Sequence, residues 1–241
     1  MNIYLITGAS KGIGFELAKQ LSEAGHFVLG IARTASELDG VTFIGADLSE
    51  TERLESLLTG AIDAAPQNVT SFTLINNAGM VDPIGLMGSV NSETIANAIA
   101  VNLTAPMIIS NAFISKLIDF EGSKRIVNIS SGAGRNAYEG WGTYCATKAG
   151  LDHFSRVVAM EQSNTKHPVE IVSIAPGIID TGMQETIRGS KEDAFPLLDK
   201  FIDYKEQGQL SSAEQTAKKL ISFMGNQDFK EVGPIVDIRN Y

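Results

Sequence analysis

Short apolar runs alternate along this chain with stretches whose apolar residues recur every three or four positions. The runs are residues 3–6, 27–32, 41–46, 72–75, 125–129, 169–174 and 235–238. Runs of this length without polar alternation predict strands buried on both faces. Residues 12–24 carry Ile13, Leu17, Ala18 and Leu21 at helical spacing and stop at Gly25. Residues 49–64, 92–120, 141–162 and 211–224 are predicted as further helices, with Ser49 and Ser211 as caps of the first and last. Strands that alternate with helices predict a parallel sheet covered on both faces and wound right-handed. The expected fold is therefore α/β, a single domain over residues 1–241 with about seven strands. Residues 177–208 break the rhythm, with Met183, Phe195, Leu197, Leu198 and Phe201 set among charges. A segment of this length in such a domain is a lid or substrate wall, or else a satellite core.

Composition narrows the function. The chain has 241 residues, 44% of them hydrophobic and 20% charged, an ordinary globular balance. The 19 basic and 28 acidic residues give a net charge of −9, which repels nucleic acid and anionic lipid. A single cysteine, Cys145, excludes an internal disulfide, and His26, His153 and His167 lie too far apart in sequence for a zinc motif. No unbroken run of 18 apolar residues is present, so no membrane span is expected. Residues 1–6 run straight into a glycine turn and read as a strand rather than a signal peptide. The expected setting is the cytoplasm, a reducing compartment.

Candidate chemistry begins at that turn. Gly8, Ser10, Lys11, Gly12, Ile13 and Gly14 join the first strand to the first helix, where glycines admit a pyrophosphate to the helix N-terminus. The spacing, TGxxxGxG, fits neither GxGxxG nor a P-loop. The second strand ends at Arg33-Thr34 without the carboxylate that would bind a ribose 2′-hydroxyl. Arg33 and Lys11 instead offer cations for a 2′-phosphate, which points to NADP(H); the alternative is two surface charges. Of the five tyrosines only Tyr144 has a lysine four residues on, Lys148, one helical turn away on the same face.

With these motifs the chain resembles the short-chain dehydrogenase/reductase family over essentially its whole length. TGxxxGxG at 8–14 is similar to the family's cofactor turn, and Asp47-Leu48 to its adenine-contacting pair. Asn77, Ala78 and Gly79 lie in its NNAG motif, Tyr144 and Lys148 in YxxxK, and Ile179 and Thr181 in PGxxxT. The resemblance implies a Rossmann-like sheet, a small-molecule carbonyl substrate and a homo-oligomer, dimer or tetramer, paired through the helices at 92–120 and 141–162. It also implies roles. Tyr144 would be the general acid, with Lys148 depressing its pKa and holding the nicotinamide ribose. Ser131 would hold the substrate carbonyl, with Ser130 as competitor. Asn102 would hold a relay water or merely brace a helix.

Within the family the second half resembles sepiapterin reductases and the bacterial benzil reductases, through residues 140–145 and 175–184 and Val236-Asp237. That implies reduction of an aromatic α-diketone or a pterin side chain, with Trp141, Met183 and Asp237 at the substrate. Trp141 could equally be core and Asp237 a surface charge. An NAD(P)-sensing protein without catalysis, which would be expected to lose Tyr or Lys from YxxxK, and an NAD-dependent alcohol dehydrogenase are the competing functions.

Overall fold

The computed structural model describes every residue, Met1–Tyr241. Strands β1 (Asn2–Thr7), β2 (Phe27–Ala32), β3 (Val41–Gly45), β4 (Ser71–Asn76), β5 (Ser123–Ile129), β6 (Glu170–Ala175) and β9 (Ile235–Asp237) form one sheet. Their order is β3-β2-β1-β4-β5-β6-β9, with every neighbouring pair parallel. The chain winds outward from β1 in one direction and from β4 in the other. The sheet therefore has its switch point between β1 and β4, where the strand ends leave a crevice.

The unbroken apolar runs are explained by burial on both faces. Ile3 and Leu5 point into one core and Ile6 into the other; Ile126 and Val127 divide likewise, as do Ile171 and Val172. The first core packs under α2 (Leu54–Asp63), α4 (Ala105–Lys116) and α5 (Gly142–Gln162), through Leu58, Ile109, Phe113 and Val158. The second packs under α1 (Gly12–Glu23) and α8 (Ala213–Asn226), through Leu17, Leu21, Leu220 and Phe223. Each such side chain contributes about 1.5–3 kcal/mol by leaving water.

The predicted helix 92–120 is α3 (Ser92–Ile99), a π-helical turn (Ala100–Thr104) and α4 in succession. A π turn inserts one residue into the ladder and re-aims side chains, often at a functional site. By length and apolarity the run Ser92–Lys116 could cross a bilayer, which the count of unbroken apolar residues missed. Here its Ala105, Ile109, Ala112 and Phe113 are buried against the sheet.

Two caps differ from the sequence expectation. Ser212, not Ser211, caps α8: its hydroxyl accepts from Gln215 N (3.0 Å) while the Gln215 side chain accepts from Ser212 N (3.3 Å). Ser49 caps nothing, because its N–H and hydroxyl both donate to Asp47 Oδ1, and a 3₁₀ turn at Thr51–Arg53 leads into α2.

Residues 177–208 form a packed wall. A two-residue strand, β7 (Ile179–Asp180), pairs with β8 (Ser211–Ser212), and α6 (Gly182–Arg188) and α7 (Leu198–Glu206) lie between them. Phe195, Phe201 and Ile187 are buried there with Val81, Ala133, Trp141 and Tyr144 in a third apolar cluster, over the C-terminal end of the sheet. A short helix α9 (Phe229–Val232) precedes β9.

Candidate active site

A cavity of about 860 Å³ opens at the switch point. Its floor is the turn from β1 to α1. Gly8 and Gly12 there have φ of +69° and +59°, backbone that only glycine adopts without strain. A side chain on Gly8 would also sit 2.9 Å from Ala78 Cα. The turn is fastened to the end of β4. Asn77 Nδ2 donates to the carbonyls of Thr7 (3.0 Å) and Gly8 (3.2 Å), and Thr7 Oγ1 accepts from Asn77 N (3.0 Å) and Ala78 N (3.1 Å). A bare backbone cradle at a helix N-terminus fits the pyrophosphate of a dinucleotide.

Of the predicted site residues, all but three line this cavity. Gly14 does not. It lies beneath the turn, where any Cβ would collide with the Gly8 carbonyl and the Asn77 amide, so its role is close packing. Asn102 is also outside, buried in the π turn. Its Oδ1 accepts from Met80 N (2.9 Å) and its Nδ2 donates to Met80 O (2.8 Å). It braces the loop after β4 rather than a helix, and a Cβ on Gly79 would lie 3.4 Å from its Oδ1 and 3.6 Å from Lys148 Nζ. Asp237 is the third, and both its oxygens are bound by Arg239, which itself lines the cavity.

At one end of the cavity Lys11 and Arg33 are exposed and take part in no ion pair. Asp47 lies on the same rim, its carboxyl held below the usual range by two hydrogen bonds from Ser49 and, less, by Arg33. These residues fit the adenosine half of a dinucleotide and a phosphate on it.

At the other end, Ser131 follows β5 and caps a 3₁₀ turn (Gly132–Gly134), its Oγ accepting from Ala133 N (3.1 Å). Ser130 also lines the cavity, but its hydroxyl is buried without a partner. Tyr144, in the first turn of α5, is 6% exposed, and its hydroxyl stands 4.0 Å from Met183 Sδ. Burial pushes its pKa up to about 12, and the neighbouring Ser131 hydroxyl draws it back in part. The net direction is thus the reverse of the expected depression, because burial outweighs any pull from the Lys148 ammonium, which sits 5.8 Å from the ring centroid and donates to Ile129 O (2.8 Å). The phenol is thus fully protonated at neutral pH and ready to donate. Lys148 is itself buried, which lowers it to about 8 against the opposing pull of Asp152.

Trp141 is both core and wall. It stacks on Phe195 (4.9 Å, 12°) and meets Tyr144 (5.4 Å) and Phe201 (5.1 Å) edge-on. Tyr138, Tyr204 and Lys200 complete this end. None was singled out from sequence; the only signal was the Lys200–Tyr204 spacing of one helical turn.

Comparison with known proteins agrees with this geometry. A family model described as short chain dehydrogenase matches residues 2–192. A benzil reductase ((S)-benzoin forming) of Bacillus cereus is 38% identical, covering 99% of both chains. The sepiapterin reductase of Rattus norvegicus is 30% identical, covering 95% of this chain and 93% of its own. The crystal structure of the KRED1-Pglu enzyme superposes with a TM-score of 0.85 at 25% identity, over 98% of this chain and 100% of that one. The glycine cradle, the switch-point cavity and these full-length similarities have one source: the chain belongs to the short-chain dehydrogenase/reductase family.

Proposed function

We propose that this oxidoreductase is an NADPH-dependent carbonyl reductase that reduces one carbonyl of an aromatic α-diketone of the benzil type. One observation carries the proposal: a protonated phenol, a serine hydroxyl and a buried ammonium converge beside a wall of aromatic rings. Family members use NAD(H) or NADP(H). NADPH is favoured here because Arg33 and Lys11 are free to meet a 2′-phosphate and no carboxylate stands at the end of β2.

When bound, the reduced cofactor supplies a hydride. The turn at Gly8–Gly12 would hold its pyrophosphate, Asp47-Leu48 its adenine, and Asn77–Gly79, Ile179, Thr181 and Lys148 its nicotinamide half. The Ser131 and Tyr144 hydroxyls hydrogen-bond the substrate carbonyl oxygen and draw charge toward it. As that oxygen becomes an alkoxide, Tyr144 gives it the phenolic proton, and the nearby Lys148 ammonium stabilises the phenolate left behind. One carbonyl, one hydride and one proton make one alcohol. The aromatic end suits a flat ring, whereas the hydroxyls of a sugar would go unpaired there.

The Bacillus cereus relative at 38% identity supports benzil over a pterin, as does the Arg239 clamp on Asp237. We place the enzyme in the cytoplasm, where its lone cysteine stays reduced. It is taken as a homo-oligomer paired through α3–α5, where Ile99, Met107, Val157 and Met160 are exposed. The test is NADPH and NADH oxidation against benzil, sepiapterin, simple ketones and sugars, with chiral analysis of the benzoin formed. Rapid NADPH-linked reduction of benzil is expected. Faster turnover of a sugar or an aliphatic ketone would overturn the substrate assignment.

A further inference from the structure

Asp152 sits one turn beyond Lys148 on α5 and is only 3% exposed. Its Oδ1 accepts from the Ser173 hydroxyl of β6 (2.6 Å), and its Oδ2 from Arg135 Nε (3.2 Å). Arg135, just past the 3₁₀ turn, donates onward through Nη2 to Val236 O of β9 (2.9 Å). Gly134 seals the assembly. A Cβ there would lie 2.9 Å from the Lys148 backbone and 3.0 Å from Asp152 Oδ2, so only glycine lets the turn press on the helix at this step.

A buried ion pair is weak evidence for stability, since apolar residues of similar volume often serve as well. Asp152 lies four residues after Lys148 on α5, so the two side chains leave the same helix face, and that placement suggests another use. Lys148 is buried too, and its Nζ reaches only a carbonyl, Ile129 O. Around it stand the Asn102 amide of the π turn, the Gly79 backbone after β4, and Tyr144 on its own helix. Arg135 approaches from the 3₁₀ turn. No carboxylate lies within ion-pair distance of Lys148, and Asp152 is the one whose field reaches it.

We propose that Asp152, fixed by Arg135 and Ser173, is a positioning residue whose charge keeps Lys148 an ammonium through the working pH range. This rests on the role given to Lys148 under the proposed function. Burial leaves that lysine little reserve, at about 8, so losing the opposing carboxylate would leave it partly neutral near pH 7.

The test is the pH dependence of kcat/KM for benzil reduction, with the NADPH dissociation constant measured over the same range. Asp152→Asn should move the alkaline limb of both curves to lower pH by about one unit, and Asp152→Glu should return it. Arg135→Gln removes the opposing cation and should move the limb upward, which keeps the proposal testable if Asp152→Asn does not fold. A limb unmoved in Asp152→Asn, with the rate lower by one factor at every pH, would show a structural strut and overturn the proposal. So would an Arg135→Gln limb that stays in place or falls. Failure of the underlying function looks different: Lys148→Met would then keep wild-type rate and NADPH affinity.

Discussion

Arg239 holds both carboxylate oxygens of Asp237, Nε to Oδ1 at 2.9 Å and Nη2 to Oδ2 at 2.6 Å, across a single intervening residue. The pair keeps the Asp237 carboxyl well below its ordinary range and leaves the guanidinium, not the carboxylate, on the cavity wall. A pterin that needed Asp237 to accept its N–H groups would have to break two charge-assisted hydrogen bonds first. Benzil should therefore be reduced with a kcat/KM at least tenfold above that for sepiapterin. Arg239→Ala should narrow the gap by raising sepiapterin turnover, and Asp237→Asn should leave benzil turnover nearly unchanged. Equal wild-type rates on the two substrates would remove the specificity assigned to the clamp.

Cofactor preference follows from the opposite end of the cavity. Arg33→Asp replaces a free cation with a carboxylate at the proposed ribose site and should weaken NADPH by about 2–3 kcal/mol while sparing NADH. Fluorescence titration with both cofactors measures this. Comparable wild-type kcat/KM values for NADPH and NADH would show that Lys11 and Arg33 are ordinary surface charges.

Tyr144→Phe keeps the aromatic ring in its cluster and removes only the hydroxyl. Single-turnover reduction should slow by about 10²–10⁴, the usual size of general acid catalysis, with cofactor affinity retained. More than about a tenth of wild-type activity in the variant would move the acid elsewhere.

Stability and activity should part at Lys148. Its ammonium holds fewer protons folded than unfolded between about 8 and 10.5. Its burial cost is therefore complete below pH 8 and shrinks as pH rises through that window. The cost is about 3 kcal/mol, offset by about 1–2 kcal/mol from the hydrogen bond to Ile129 O. Lys148→Met should thus be more stable than wild type by about 1–2 kcal/mol at pH 7, with the gain gone by pH 10, and nearly inactive. Urea melts at both pH values give the result; a less stable variant at pH 7 would contradict the assigned burial cost.

Why some of this was legible in the sequence is a matter of range. Strands buried on both faces read as unbroken apolar runs, so Ile3–Ile6 and Phe27–Ala32 announced themselves without tertiary information. Lys148 follows Tyr144 by one turn, and any helix brings that pair to one face. The depth of burial was not legible, and depth is what pushes Tyr144 up rather than down. The π turn at Asn102 was hidden because apolar spacing continues through it. Ser211 and Ser212 are chemically identical neighbours, and only the reach of Gln215 selects the second as cap. Tyr138, Tyr204 and Arg239 come from three separate segments and meet only in the fold.

Trp141 separates packing from substrate recognition. Its indole Nε1 is buried with no hydrogen-bond partner, which costs about 1–3 kcal/mol. Trp141→Phe removes that orphaned donor and leaves a ring able to stack on Phe195, but it also loses apolar volume and opens a void. The two effects have opposite signs and similar size, so the variant should match wild-type stability within about 1 kcal/mol. Trp141→Ala removes the whole ring and should lose about 3–5 kcal/mol. If the ring serves as substrate wall as well as core, Trp141→Phe should raise KM for benzil several-fold at nearly unchanged kcat, because Ser131, Tyr144 and Lys148 keep their places. An unchanged KM in a folded Trp141→Phe would assign the ring to packing alone and leave Phe201, Tyr204 and Tyr138 as the aromatic face that meets the substrate.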